Sequence, residues 1–338
     1  MKTDGGEKVL LAHGSGGRLT QELIRSRFSP ALSNPILDRM EDSATIEAQG
    51  RLAFTIDSHV VSPLFFPGGD IGRLSITGTV NDLAMAGARP LYISAGFIIE
   101  EGLGHKELAR VVSSMSGAAA EARVDVVAGD TKVVERGAAD GLFITTSGIG
   151  IIPDGVRLSA SAVCPGDAVI VSGTIGDHGV AILSRRQGMD FEAPVSSDCA
   201  PLNDLVEVML GASGKIHALR DPTRGGLAAI LNEIATASSV AIEVDEGLIP
   251  YRSEVRAACE LLGLDPMVLA NEGKLVAFVA EQDAGKVLRA MKAHDHGTEA
   301  AVIGRVEKAD RPRVYVRTLL GSRRVLAMPS GEQLPRIC

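Results

Sequence analysis

Apolar residues recur along this chain in two periods, about two and about 3.6 residues, and the periods alternate. Residues 51–57 (Arg-Leu-Ala-Phe-Thr-Ile-Asp) are apolar, β-prone and end on an acid, which predicts a strand. Residues 75–88 have helical periodicity and stop at Arg89-Pro90. Residues 91–100 read as a strand, 106–123 as an amphipathic helix, and 124–128 as a strand broken by Gly129-Asp130. Residues 141–152 form a long closing strand. Turn clusters at Pro153-Asp-Gly-Val and Cys164-Pro-Gly-Asp place a boundary between about 153 and 167. The predicted division is 1–155, 156–328 and a flexible tail, 329–338.

The second half repeats the style without repeating the sequence. Strands are predicted at 167–172, 240–244, 275–280 and 300–306, and helices at 178–186, 225–238, 253–263 and 284–294. Residues 313–328 read as a hairpin around Gly321. Alternation mixed with hairpins predicts layered α+β domains rather than one parallel sheet. No G-x-G-x-x-G follows the first strand of either half, which argues against a Rossmann dinucleotide site.

Composition narrows the chemistry. The chain has 338 residues, 45% apolar and 22% charged, which suits two globular domains. It has no Trp, three Tyr and eight Phe, too few aromatics for a single-strand stacking platform. A net charge of -8 with no basic run disfavours nucleic acid and anionic membrane as partners. Nothing resembles a signal peptide or an 18-residue apolar span, so a cytoplasmic protein is expected. The cysteines, Cys164, Cys199, Cys259 and Cys338, form no C-x-x-C pair; the first three read as small buried or half-buried residues, and no zinc site is expected.

Several segments carry candidate chemistry. His13-Gly-Ser-Gly-Gly17 precedes a helix predicted at 19–28, where backbone N–H groups can face an anion. Asp42, Asp57, Asp82 and Asp130 each follow or interrupt apolar sequence. Any one of them could cap a turn; four together are expected to converge at one edge of a sheet and hold magnesium against phosphate oxygens. Asp221-Pro-Thr-Arg-Gly-Gly226 joins an acid, a hydroxyl, a guanidinium and a helix start, a second anion-site candidate. Asn271-Glu-Gly-Lys274 presents a carboxylate in a turn before a strand, and Lys132 stands two residues past Asp130. The last residues, Pro335-Arg-Ile-Cys338, put a thiol after a loose segment. Eight extended residues from Gly331 reach roughly 26 Å at about 3.3 Å each, enough to carry that sulfur into a cleft.

Taken together, His13–Gly17, Thr55 to Gly69, Gly129 to Val134, Gly176 to Gly179, Leu219 to Gly226, Ala270 to Lys274 and Pro335 to Cys338 resemble the hydrogenase-maturation carbamoyl dehydratases. These belong to the wider ATP-binding family of aminoimidazole ribonucleotide synthetase, selenophosphate synthetase and thiamine-phosphate kinase. The resemblance runs from about residue 9 to 338, and its terminal Pro-Arg-Ile-Cys is the most specific part. It implies a homodimer whose N-terminal domains share a β-barrel-like core with ATP near the interface, a C-terminal α/β sandwich and a mobile tail. It implies that a partner carbamoyltransferase loads Cys338 and that ATP drives dehydration of the S-carbamoyl group to a thiocyanate. The cyano group would then pass to iron on a maturation scaffold complex, for a nickel–iron hydrogenase.

On that reading Asp42, Asp57, Asp82 and Asp130 hold Mg2+. His13, Gly14, Gly16 and Gly17 bracket the nucleotide with Asp221, Thr223, Arg224 and Gly225. Glu272 is the base and Lys132 stabilises developing charge; the residues alone leave open which of these two takes the proton. Two alternatives stand: another ATP-dependent enzyme of the superfamily acting on a small molecule, and a nucleotide-regulated scaffold.

Overall fold

The computed structural model describes residues 8–14, 18–40, 43–188 and 195–329. Gly16, Gly17, Asp42, Cys338 and the tail from 330 onward lie outside the described residues. The N-terminal half builds β1 (Arg51–His59), β2 (Phe65–Phe66), β3 (Gly69–Asp70), β4 (Arg89–Glu100), β5 (Asp125–Val134) and β6 (Leu142–Ile152), with helices α1 (Arg18–Leu23), α2 (Ser29–Leu32), α3 (Ile71–Met85) and α4 (His105–Ala122). Its main sheet has the order β1-β6-β4-β5. Only the β4–β5 pair is parallel, and α4 makes the crossover that a parallel pair requires. Asp70 starts α3 by accepting the N–H groups of Gly72 (2.8 Å) and Arg73 (3.0 Å). α3 is buried along almost its whole length, and with α4 it covers one face of the sheet.

The other face of that sheet is bare. Phe54 is 74% and Ile56 63% exposed, with Leu52 and Ile98 also in the open. Pairing fixes which side chains share this face. Ser58 pairs with Thr145, Thr145 with Gly96, and Gly96 with Asp130, so this row points outward with Ile56. Asp57, Thr146, Ala95 and Gly129 make the adjacent row, which points toward α3.

The C-terminal half builds β7 (Asp167–Val171), α5 (Asp177–Gln187), α6 (Asn203–Ala212), β8 (Ile216–Arg220), α7 (Gly226–Ser238), β9 (Ala241–Asp245), α8 (Ser253–Leu262), β10 (Val276–Ala280), α9 (Glu281–Lys292), β11 (Ala301–Glu307), β12 (Arg313–Arg317) and β13 (Arg323–Val325). They form a seven-stranded sheet, β13-β12-β9-β11-β7-β10-β8. β7 and β10 are buried on both faces and so read as unbroken apolar runs rather than alternating ones. α7 packs on one side, α6 and α9 on the other.

Three expectations change. β5 does not break at Gly129-Asp130; it continues to Val134, because both residues stay in register with Ala95 and Gly96 of β4. α6 and β8 have no counterpart in the predicted elements; both are short, and Gly211 and Gly214 obscure their junction. Cys164 is exposed, whereas Cys199 and Cys259 are buried.

Candidate active site

The two halves meet over a group of carboxylates. Asp57 projects from β1 toward α3, where a β-carbon at Gly78 would come within 3.1 Å of its Oδ2. Asp82, on α3, accepts the Thr55 hydroxyl at 2.8 Å. Asp221 follows the end of β8, and Glu272 lies in the turn before β10. Burial raises Asp82, and the Asp57 charge raises it further. Burial and the nearby Asp82 push Asp221 up to about 7, although Arg220 offsets part of this. Glu272 is raised well above the usual carboxylate range by burial first, then by Asp198, Asp221, Asp57 and Asp82. Four acids from both halves therefore feel one another's charge, and Asp198 is a fifth.

Glu272 is held from every side by its backbone. Its N–H donates to Asp198 Oδ1 at 3.0 Å, and its carbonyl accepts from Asn81 Nδ2 at 3.2 Å. Asn81 also donates to the Ala200 carbonyl and accepts the Leu202 N–H, so one buried amide from α3 ties both loops of the second half. Asn271 donates to the Pro222 carbonyl at 2.9 Å and accepts the Gly176 N–H at 2.7 Å. The next residue must be glycine: a β-carbon at Gly273 would stand 1.8 Å from the Asp198 carbonyl oxygen. Glu272 Oε1 and Asp198 Oδ2 are buried without a hydrogen-bond partner, although Lys274 Nζ stands 3.5 Å from the latter. Orphaned carboxylate oxygens amid further acids make a hard, oxygen-only donor set, which suits Mg2+. His59 Nε2, 3.6 Å from Asp57, is a further buried atom without a hydrogen-bond partner, and burial lowers the pKa of its imidazole.

The loop from Asp221 to Gly226 turns tightly beside Glu272. Thr223 N–H donates to the Asp221 carbonyl, and Gly226 N–H to the Thr223 carbonyl. Gly225 and Gly226 have φ of +79° and +59°, and a β-carbon at Gly226 would strike the Leu269 carbonyl oxygen at 2.4 Å, so α7 can begin here only on glycine. Pro329 closes the described chain against this loop: a β-carbon at Gly225 would lie 3.9 Å from its ring.

Other predicted site residues stand elsewhere in the chain. Asp130 does not join Asp57 and Asp82 at one sheet edge. It sits on the opposite edge strand and points from the opposite face, three strand spacings away, about 14 Å. It pairs with Lys132 at 3.1 Å on that bare face. His13 is buried, stacks edge-on to His105 and accepts the Leu10 N–H at 2.9 Å. Gly14 packs against Val133 of β5. This second group adjoins a cavity of about 220 Å3 lined by Ile24, Phe28, Leu37, Phe97, Val126 and Asp130, among others.

Comparisons with known proteins fit both halves. Residues 40–152 match the N-terminal domain of AIR synthase related proteins, and residues 164–317 match their C-terminal domain. Carbamoyl dehydratase HypE of Azotobacter vinelandii is 54% identical over 98% of this chain and 97% of its own length. The chain belongs to the HypE family of carbamoyl dehydratases. A crystal structure of hydrogenase maturation protein HypE in complex with ATP superposes with a TM-score of 0.95 at 51% identity, covering 97% of this chain and 99% of that one. A HypE–HypF complex matches with a TM-score of 0.81 at 46% identity, covering 93% of this chain and 100% of that one. Among the described residues of this HypE-family chain, no helix is long and apolar enough to cross a membrane.

Sequence reasoning missed Asn81, Asp198 and Asn271 as parts of the site. Asn81 adjoins the predicted Asp82, and Asn271 adjoins Glu272, so each sat next to a named residue. Asp198 carries no local signal; only the fold brings it to Glu272.

Proposed function

We propose that this enzyme dehydrates a carbamoyl group carried on the Cys338 thiol to a thiocyanate, with ATP as second substrate. The observation that carries the reading is the root of the tail, Pro329, against Gly225, in the same loop that holds Asp221 and that Asn271, next to Glu272, ties down through the Pro222 carbonyl. Cys338 is the ninth residue beyond Pro329, a reach of about 30 Å when extended. The sulfur can therefore be brought to Glu272 from its own tether.

The reaction balances simply. The carbamoyl oxygen is a poor leaving group until ATP converts it to phosphate; losing both N–H protons and that phosphate leaves S–C≡N, ADP and inorganic phosphate. Glu272 takes an N–H proton. Its raised pKa makes it a strong base once it is deprotonated, and its backbone is fixed by Asp198 on one side and by Asn81 of α3 on the other. Asp57, Asp82 and Asp221 would hold Mg2+, with Asp42 as a further candidate. When bound, the ion would supply charge for the triphosphate and offset the neighbouring carboxylate charges that, after burial, raise the pKa of Glu272. The loop from Asp221 to Gly226 and the segment from His13 to Gly17 would bracket the nucleotide, and the cavity of about 220 Å3 would take its base.

A homodimer completes the arrangement. The bare face bearing Phe54 and Ile56 is too apolar to remain in water, and pairing it with a second copy would give the barrel-like core. Asp130 and Lys132 project from the same face, so they would lie at that interface, where Lys132 can meet developing charge. A carbamoyltransferase of the HypF kind would load Cys338, and an iron-carrying maturation scaffold would receive the cyanide in the cytoplasm.

Intact-mass analysis tests this. Carbamoylated protein given Mg-ATP should release phosphate and lose one water mass from the tail peptide, and Cys338→Ala should do neither. Unchanged tail mass with bound ATP would mean a nucleotide-regulated scaffold. Undiminished turnover of ATP by Cys338→Ala would mean a small-molecule enzyme.

A further inference from the structure

Far from the carboxylates, at the other end of β8, three donors of different chemistry converge. Cys164 and Asp167 close the turn Cys164-Pro-Gly-Asp167, in which Gly166 takes φ +98°. Asp167 N–H donates to the Cys164 carbonyl, and Cys164 N–H donates back to Asp167 Oδ2 at 3.0 Å. The third donor comes from fifty-three residues away: His217 Nδ1 lies 2.8 Å from Asp167 Oδ2 and 3.8 Å from Cys164 Sγ. Cys164 Sγ is 3.5 Å from Asp167 Oδ1.

His217 is aimed there by an irregularity. Ala218 pairs with Phe278 and Ile216 with Val279, so His217 is the extra residue of a bulge in β8. A bulge redirects a side chain that regular pleating would send elsewhere. Ala280, opposite Asp167 on the intervening strand β10, is small enough to let the two side chains meet above it. The Asp167 carboxylate is almost fully buried, while Cys164 is open to solvent.

The geometry points to a site for a thiophilic divalent cation of the Zn2+ class, held by Cys164 Sγ, His217 Nδ1 and an Asp167 carboxylate oxygen. A tetrahedral zinc with bonds of about 2.0–2.3 Å places its ligands about 3.3–3.6 Å apart. The Cys164 sulfur lies near this spacing from both His217 Nδ1 and Asp167 Oδ1, whereas His217 contacts the other oxygen, Oδ2, so ligation through Oδ1 requires His217 to exchange that contact for the metal. Sulfur, nitrogen and oxygen donors in one cluster favour Zn2+ over Mg2+, which would choose the oxygen-only group at the active site. Three protein ligands with an exposed sulfur leave room for water as the fourth. Binding exchanges the thiol proton for the metal. The site would pin the connector between the halves, because Ser159 N–H donates to the His217 carbonyl at 2.9 Å.

Cobalt substitution in the full-length protein tests the inference, without nucleotide. Co2+ should give a thiolate-to-cobalt charge-transfer band in the wild type and in Cys338→Ser, lost in Cys164→Ser and displaced by Zn2+. His217→Ala should weaken Zn2+ binding at least about tenfold. No band in the wild type, a band that survives Cys164→Ser, or His217→Ala affinity within about twofold of wild type overturns the site. Should Cys164→Ser lose its circular dichroism, zinc-edge X-ray absorption of the wild type decides: a sulfur scatterer with nitrogen and oxygen supports the site. Oxygen alone assigns the metal to the active-site acids and refutes it.

Discussion

Asp221 should destabilise the very fold that it serves. Its pKa rises from 3.8 to about 7, because burial and the Asp82 charge disfavour the anion. The folded state thus holds the proton more tightly than the unfolded chain. Stability from this group is complete below pH 4 and is lost as pH rises through 7. Three units at about 1.4 kcal/mol each set a ceiling of about 4 kcal/mol. Asp82 and Glu272 are raised too and share the repulsion, so about half of the ceiling should be realised. Asp221→Asn keeps the shape and removes the charge. At pH 8, without metal or nucleotide, it should raise Tm by about 4–8 °C, the equivalent of about 2 kcal/mol in domains of this size. At pH 4 the gain should vanish. Mg2+ should lift the wild type more than the variant, and dehydratase activity should fall. Thermal unfolding followed by circular dichroism across pH 4–8 reads all of this. A variant less stable than wild type at pH 8, or a difference independent of pH, would refute the argument.

Other outcomes follow from the same contacts. Gly273→Ala should cost about 3 kcal/mol in urea unfolding and abolish turnover, since the new β-carbon meets two backbone atoms, Asp198 O at 1.8 Å and Ala200 N at 2.9 Å. Asn81→Ala leaves the Ala200 and Glu272 carbonyls and the Leu202 N–H unpaired; a loss of about 3 kcal/mol is expected, with kcat falling before ATP binding does. Phe54→Asp should halve the mass seen by light scattering while leaving circular dichroism intact, because the side chain is exposed within one chain and covered only in the proposed dimer.

Much of the architecture was legible because each half alternates strand and helix with clear stops. Residues 91–100, 141–152 and 275–280 emerged as β4, β6 and β10 within two residues at each end. Pairing was not legible. Asp57 and Asp130 look equivalent as acids after apolar runs, yet a period of two along the strands sets them on opposite faces, and sheet order sets them on opposite edges. The same limit explains Asp198, which sits next to Cys199 in a stretch without periodicity and gains meaning only from the Glu272 N–H. The turn that carries Glu272 was readable before its strand, but its burial was not: a carboxylate and a lysine around glycine read equally as a surface ion pair. His217 was invisible for the opposite reason: its strand was not predicted, because Gly211 and Gly214 obscure its start, and a bulge is a property of two strands at once.

The anchorage of Pro329 beside Gly225 has a kinetic corollary. A reactant leashed to its own catalyst by so few links explores a volume in which it is present at millimolar effective concentration. Such an enzyme has no Michaelis constant for that reactant, and diluting the protein leaves the dehydration rate unchanged. On the proposed reaction its output would be paced by visits from outside, one to reload the sulfur and one to unload it, so each copy would complete a single conversion per docking cycle.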